Sequence, residues 1–145
     1  MDKITRILGV LISIFLLICI RNYQEDLFFD PYLKFFEDKE LFKEKGGLNE
    51  FGFEIMVGVG YRYLLNSVLT LVIIYFVFNN IKLVYQSLFI MLMLFVIIFP
   101  IYYFFVEIDF REYSLIGFYV RRILIQPILL ILLIPSFYYL EQKIN

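Results

Sequence analysis

Of the polar side chains that lie in or beside the apolar stretches of this sequence, six are the best suited to bind a ligand. They are Arg21, Arg62, Asn66, Arg121, Arg122 and Gln126. Arg62 and Asn66 are four residues apart, as are Arg122 and Gln126, so each of these arginines shares a helix face with an amide. A guanidinium group offers paired N–H donors that match the oxygens of a carboxylate or a phosphate. The spacing therefore allows a cationic site for an anionic group, such as a lipid phosphate or a peptide carboxylate, as an alternative to a purely structural role.

Two structural roles for these arginines remain open beside ligand binding. Arginines near the ends of membrane helices extend their charged groups to the interface, and amides form hydrogen bonds between helices. Alternatively, the arginines pair with acidic residues expected on the same side of the membrane, which would determine how the loops pack. The candidate partners are Glu25, Asp26, Asp30, Glu107, Asp109 and Glu112.

Residue types that commonly perform catalysis are scarce. The sequence has no histidine, and its one cysteine, Cys19, lies within an apolar run. It has no cluster with metal-ligand spacing, and Gly58 and Gly60 are too few for a nucleotide-binding loop. We therefore expect no catalytic residue, no metal and no cofactor. An enzyme built from loop carboxylates is retained as an alternative only.

The composition is that of an integral membrane protein. Of the 145 residues, 62% are hydrophobic, the mean hydropathy is +0.83, and there are 18 Phe and 12 Tyr. A soluble domain of this size is usually about half apolar. The formal net charge is −1 and the basic residues are scattered, which argues against a nucleic-acid partner. Membrane lipid is therefore the expected partner of most of the surface.

Four apolar stretches are long enough to cross a bilayer as helices, since the hydrocarbon core requires about 20 such residues. The predicted spans are residues 4–20, 61–78, 83–106 and 123–140. Only residues 79–82 separate the second and third spans, which predicts an antiparallel helical hairpin. Pro100, Pro127 and Pro135 can each kink a span by removing a backbone hydrogen bond. The prediction is an all-α fold in which residues 1–145 form one membrane domain with four transmembrane helices.

An even number of crossings places both termini on one side of the membrane, with the loops of residues 21–60 and 107–120 on the other. The terminal side carries basic residues at higher density, so we expect cytoplasmic termini in the cell inner membrane. Within the first loop, residues 31–45 are predicted to form a short interfacial helix. Asp30 suits its N-cap, and the glycine pair after Lys45 suits its end.

Three stretches together resemble a known family. They are RNYQEDLFFDPYLKFF after the first span, YRYLLNSVLTLVIIYFVF in the second and RRILIQPILLILLIPSFYYL in the fourth. In their order and length they resemble the small membrane protein associated with the exosortase F system of Bacteroidetes. Exosortases are multi-pass membrane transpeptidases that process C-terminal sorting signals of exported proteins and rely on Cys, Arg and His.

This resemblance implies a role in protein sorting at the cell envelope. Because the chain has no histidine, it resembles the accessory protein and not the transpeptidase. The implied function is that of a non-catalytic accessory whose partners are an exosortase and its sorting substrates. No functional residues of the family are transferred to this sequence. The alternatives are a small membrane carrier or lipid-phosphate-binding protein, and an orphan membrane enzyme.

Overall fold

The described part of the chain is built from helices. The computed structural model describes residues 2–28, 52–107 and 114–144. Its helices are α1 (Lys3–Asn22), α2 (Gln24–Leu27), α3 (Gly52–Phe78), α4 (Ile81–Glu107), α5 (Ser114–Ile125) and α6 (Ile128–Ile144). The predicted all-α fold is confirmed over these residues. The interfacial helix predicted at residues 31–45, together with Asp30, Asp109 and Glu112, lies outside the described residues.

Three helices are long and apolar enough to cross a membrane individually, namely α1, α3 and α4. α5 and α6 together would form a fourth span if they make one crossing, although they are bent from each other by 59°. The chain therefore has the helices of a multi-pass membrane protein. Where we expected one continuous span at residues 123–140, the structure divides the stretch between α5 and α6.

The two longest helices extend beyond the apolar stretches used to predict the spans. α3 and α4 contain 27 residues each. At a rise of 1.5 Å per residue such a helix is about 40 Å long, against about 30 Å for the hydrocarbon core. The first part of α3, before the predicted start at residue 61, contains Glu54 and the glycines Gly58 and Gly60. These residues lower the hydropathy without ending the helix.

The break between α5 and α6 lies at Gln126 and Pro127. Proline has no N–H group to continue the hydrogen-bond ladder, and its ring crowds the carbonyl one turn earlier. The Gln126 N–H still donates to the Arg122 carbonyl at 3.1 Å, whereas the Ile128 N–H donates back to the Gln126 carbonyl at 2.8 Å. The spacing of the backbone hydrogen bonds thus shortens from four residues to two at the proline, and the helix axis bends there by 59°.

A two-residue turn joins α3 to α4. Asn79 has a φ of 52°, in the left-handed region, where asparagine is better tolerated than most other residues. Its N–H donates to the Tyr75 carbonyl at 2.8 Å and closes the end of α3. The Asn80 side chain accepts a hydrogen bond from the Lys82 N–H at 3.0 Å and caps the start of α4. Two asparagines therefore close the helical hairpin.

α1 packs antiparallel along α3 at close range. Near the start of α1, the Arg6 guanidinium donates to the Phe76 carbonyl at 2.9 Å and to the Val77 carbonyl, near the end of α3. Gly9 lies against the Phe76 ring, so that a Cβ placed there would be 2.6 Å from ring carbons. The chain that follows α1 contacts the first half of α3. Small residues at such crossings let two helix backbones approach closely in a membrane.

Buried side chains form two clusters, one toward each end of the α3–α4 hairpin. The cluster away from the turn contains Ile55, Met56, Val59, Tyr63, Tyr102, Val106, Leu124 and Ile125. The cluster toward the turn contains Ile74, Met91, Leu133 and Phe137. α5 thus packs away from the turn and α6 toward it, where the Phe78 and Phe137 ring centroids are 6.0 Å apart. Because Arg6 contacts Val77, both ends of the described chain lie beside the turn.

Candidate functional site

The six polar residues predicted from the sequence all line one cavity of about 640 Å³. They are Arg21, Arg62, Asn66, Arg121, Arg122 and Gln126, and the remaining lining residues are Ile14, Leu17, Ile18, Ile20, Gln24, Phe118, Ile125, Pro127 and Leu130. Small-molecule sites in proteins have volumes of about 300–1,000 Å³. The cavity is therefore large enough for a ligand, and it gathers side chains from three separate parts of the chain.

Three helix faces form this cavity. Its lining residues recur at positions 14, 17, 18 and 21 on α1 and at 118, 121, 122 and 125 on α5, the spacing of side chains that share one face of a helix. Arg62 and Asn66 contribute from α3, four residues apart. Because α1 and α5 both pack on α3, they form two side walls and α3 forms the floor.

Arg62 is buried, with 4% of its surface exposed, although its side chain is charged. Its Nη2 group donates to the Gln24 Oε1 atom at 2.6 Å, which connects α3 to α2. The Arg62 guanidinium carbon lies 5.7 Å from the centre of the Phe28 ring, within reach of a cation–π interaction. Phe28 is itself buried and contacts the Tyr61 ring. These contacts fix the position of the Arg62 side chain at the cavity.

The break between α5 and α6 contributes a backbone carbonyl to the same site. The last carbonyls of a helix have no intrahelical partner. The Asn66 Nδ2 group donates to the carbonyl of Ile125, the final residue of α5, at 2.8 Å. The Arg122 Nε group donates to the Gln126 Oε1 atom at 2.9 Å. Asn66 therefore joins α3 to α5. The Gln126 amide orients the Arg122 guanidinium, whose other N–H groups take no part in this hydrogen bond.

Among the residues that the structure describes, the charged side chains of the cavity lining are all arginines. Arg121 is buried, with 3% exposure, whereas Arg21 and Arg122 are exposed. Together with Arg62 they bring four guanidinium groups to a lining that contains no carboxylate among the described residues. Arginine stays protonated at any physiological pH. Charges at the edge of a low-dielectric region interact strongly, so this arrangement favours an anionic ligand.

The described acidic residues that were considered as partners do not belong to this lining. Glu25 and Asp26 are exposed on α2. Glu107, the last residue of α4, accepts a hydrogen bond from the Tyr103 hydroxyl at 2.7 Å. None of these three carboxylates forms part of the cavity wall.

Two residues that contact Arg62 were not among the site residues predicted from the sequence. Gln24 and Phe28 both contact Arg62 from the chain that follows α1. Gln24 stands three residues after Arg21, but α1 ends between them at Asn22, so helical spacing does not indicate this contact. Nor does any local pattern mark Phe28 among the 18 phenylalanines of the sequence.

No family model matches the chain, and neither a curated protein nor a solved structure matches it. The chemistry of the cavity is therefore the basis for assigning a function. Guanidinium groups bind oxyanions through charge-assisted, paired hydrogen bonds, and they do not donate protons or act as nucleophiles at neutral pH. The arrangement is suited to holding an anion.

Proposed function

We propose that this chain is a non-catalytic membrane protein that binds an anionic group, a phosphate or a carboxylate, in the arginine-lined cavity. The observation that carries the proposal is the gathering of four guanidinium groups at one cavity, where those of Arg21 and Arg122 are exposed. Arg62 is held by Gln24, and Arg122 is held by Gln126. Donors that are already positioned lose less conformational entropy when the ligand binds.

We further propose that the protein crosses the cell inner membrane four times. This assignment treats α5 and α6 as one bent crossing, because α5 packs at one end of the hairpin and α6 at the other. Both ends of the chain then lie on one side, and the density of basic residues assigns that side to the cytoplasm. The cavity, which lies away from the α3–α4 turn, would face the outer leaflet.

The resemblance to the exosortase F system-associated family suggests a setting for this binding. The motif RYLLNS contains Arg62 and Asn66, and RRILIQP contains Arg121, Arg122 and Gln126, all of which line the cavity. We therefore propose that the protein acts as an accessory of an exosortase-type sorting system. Co-purification of an exosortase with the tagged chain from native membranes is the expected result, and its absence under mild solubilisation would contradict this role.

Thermal unfolding of the purified protein in a neutral detergent tests anion binding directly. Methyl phosphate and acetate serve as short probes, and sodium chloride at equal ionic strength controls for screening. A ligand that binds only the folded state raises the melting temperature in proportion to its concentration relative to its Kd. We expect such a rise with the native sequence and its loss in the Arg21→Gln/Arg122→Gln double variant.

Lys82→Gln provides the matched control, because it removes an exposed cation next to the α3–α4 turn, at the other end of the molecule. This variant should keep the full response to both probes. An unchanged response in the double variant, or equal losses in the double variant and in Lys82→Gln, would contradict binding in the cavity.

A further inference from the structure

The cavity changes from charged to aliphatic along its depth. On the α1 wall, Ile18, Leu17 and Ile14 lie on the same face as Arg21, progressively further into the helix. The seven residues from Arg21 back to Ile14 correspond to about 10 Å along the axis. On the opposite wall the lining continues past the arginines to Ile125, Gln126, Pro127 and Leu130. Two walls that are aliphatic apart from Gln126 therefore lie below the guanidinium groups.

On the basis of the anion binding proposed above, we infer that the ligand is a membrane lipid with a phosphate headgroup. Its phosphate would lie among the arginines, and one acyl chain would lie along the aliphatic walls. Arg21 stands in the last turn of α1, next to the polar residues that follow the helix. Arginines at this level extend to the headgroup region, which is the depth of a lipid phosphate.

The aliphatic half of the cavity is open to the surrounding bilayer. Ile14 and Ile18 line the cavity, yet 41% and 57% of their surfaces are exposed. α1 packs chiefly along α3, so the cavity has an open side between α1 and the α5–α6 pair. An acyl chain can therefore enter sideways from the bilayer without crossing water.

The size of the cavity also favours a ligand larger than an inorganic ion. Its volume of about 640 Å³ equals the share of about 20 water molecules in the liquid, at about 30 Å³ each. A phosphate group alone would leave most of the aliphatic half unfilled. Within a bilayer that space is most readily filled by hydrocarbon, since hydrocarbon already surrounds it.

A peptide carboxylate satisfies the arginines but not the aliphatic half. A polypeptide placed against Ile14, Leu17 and Leu130 would bring backbone N–H and C=O groups into a region without water. Each such group costs several kcal/mol when it lacks a partner in hydrocarbon. An acyl chain carries no groups of this kind, so the lining favours a lipid over the C-terminus of a protein.

Native mass spectrometry of the full chain, released from a neutral detergent, tests this inference. The delipidated protein is incubated with phosphatidic acid or with phosphatidylcholine that carries the same acyl chains. We expect the native sequence to retain one phosphatidic acid molecule and to retain phosphatidylcholine far less. In the Arg21→Gln/Arg122→Gln variant the retained phosphatidic acid should fall on the order of tenfold, which corresponds to about 1.4 kcal/mol.

Leu17→Trp separates lipid binding from anion binding. The indole fills the aliphatic half and leaves the arginines unchanged, so phosphatidic acid retention should fall on the order of tenfold while methyl phosphate still raises the melting temperature. Ile12→Trp is the matched control, because Ile12 is 58% exposed on the same helix and does not line the cavity. Leu130→Trp repeats the test from the opposite wall if Leu17→Trp impairs folding.

The outcomes distinguish the two proposals. If methyl phosphate fails to stabilise the native sequence, anion binding itself is overturned. If methyl phosphate stabilises the protein but no phosphatidic acid is retained, the lipid inference alone is overturned. Undiminished retention in folded Leu17→Trp and Leu130→Trp, or selective retention of a synthetic peptide through its C-terminal carboxylate, would overturn it as well.

Discussion

Asn66 connects two helices through a single hydrogen bond whose acceptor stands at the end of α5. Its Nδ2 group donates to the Ile125 carbonyl, and its own backbone carbonyl accepts a hydrogen bond from the Thr70 hydroxyl at 2.7 Å. Asn66 and Thr70 are both buried. The buried amide and the proline break are therefore two parts of one structural feature.

We predict that Asn66→Leu lowers the free energy of unfolding by about 1–2 kcal/mol, because the buried Ile125 carbonyl loses its donor. The measurement is an unfolding titration of the purified protein in mixed detergent. Ser136→Ala is the control, since the exposed Ser136 hydroxyl donates only within its own helix, to the Leu132 carbonyl at 2.7 Å. Its effect should stay within about 0.5 kcal/mol. Equal losses in both variants would contradict an interhelical role for Asn66.

The site residues were predictable to the extent that helix geometry alone determines their positions. An arginine and an amide four residues apart share a face in any helix, which is how Arg122 and Gln126 come to be hydrogen-bonded. The partners of Arg62 were not predictable in this way. Its contacts with Gln24 and Phe28 depend on how the chain after α1 packs on α3, and that packing is not encoded in a local pattern.

At the scale of elements, the contact between α1 and α3 depends on the absence of a side chain at Gly9. A Cβ there would lie 2.6 Å from carbons of the Phe76 ring, closer than two carbon atoms can approach without displacement. At Gly60, by contrast, the nearest atom to a new Cβ is a Phe99 ring carbon at 3.5 Å, an ordinary contact distance. The two glycines therefore differ in what an alanine would meet.

We predict opposite effects of alanine at these two helical glycines. Gly60→Ala should raise the free energy of unfolding by up to about 1 kcal/mol, because alanine is the better helix former. Gly9→Ala should lower it by about 1–3 kcal/mol, because overpacking against Phe76 outweighs the gain in propensity. Mixed-detergent unfolding measures both changes. Phe76→Leu should reduce the penalty of Gly9→Ala, and a failure to do so would contradict the contact as its cause.

The bend between α5 and α6 should depend on Pro127. In Pro127→Ala an N–H group is restored and the ring is removed, so we predict that the 59° bend decreases. Paired spin labels at Leu115 and Leu140 measure the change as a longer separation. Pro135→Ala is the control, since Pro135 lies inside the continuous helix α6. A separation that is the same in Pro127→Ala and in the native sequence would assign the bend to packing and not to the proline.

The helices were predictable from hydropathy, but it was not predictable which of the prolines would interrupt a helix. Pro100 and Pro135 lie within continuous helices, whereas the helix is interrupted at Pro127. The three residues look alike in sequence, since each follows a run of mostly apolar residues. They differ in their surroundings, because at the break the buried amide of Asn66 supplies a donor for a carbonyl at the helix end. A broken helix is tolerated in a membrane where neighbours satisfy the exposed backbone groups.

At the scale of the whole molecule, the cavity and the hairpin turn lie at opposite ends of the bundle. Arg6 and Phe137 contact the last residues of α3, beside the turn. Arg62 and the end of α1 meet in the other half of the molecule. If α1, α3 and α4 each cross the membrane once, the arginines gather at one membrane face whether or not α5 and α6 complete a further crossing. The number of crossings instead decides on which side of the membrane the C-terminus lies.

We predict that cysteines at positions 82 and 143 react from one side of the membrane and a cysteine at position 122 from the other. Each is introduced singly, as Lys82→Cys, Lys143→Cys or Arg122→Cys, in a Cys19→Ser background and labelled in intact cells with an impermeant maleimide. With four crossings, only position 122 should be labelled before permeabilisation. If α5 and α6 instead entered and left by the same face, position 143 would be labelled with position 122, and a phosphatase fused after Asn145 would be active. That result would move the C-terminus to the outer face and separate it from the α3–α4 turn, contrary to the contact between Phe78 and Phe137.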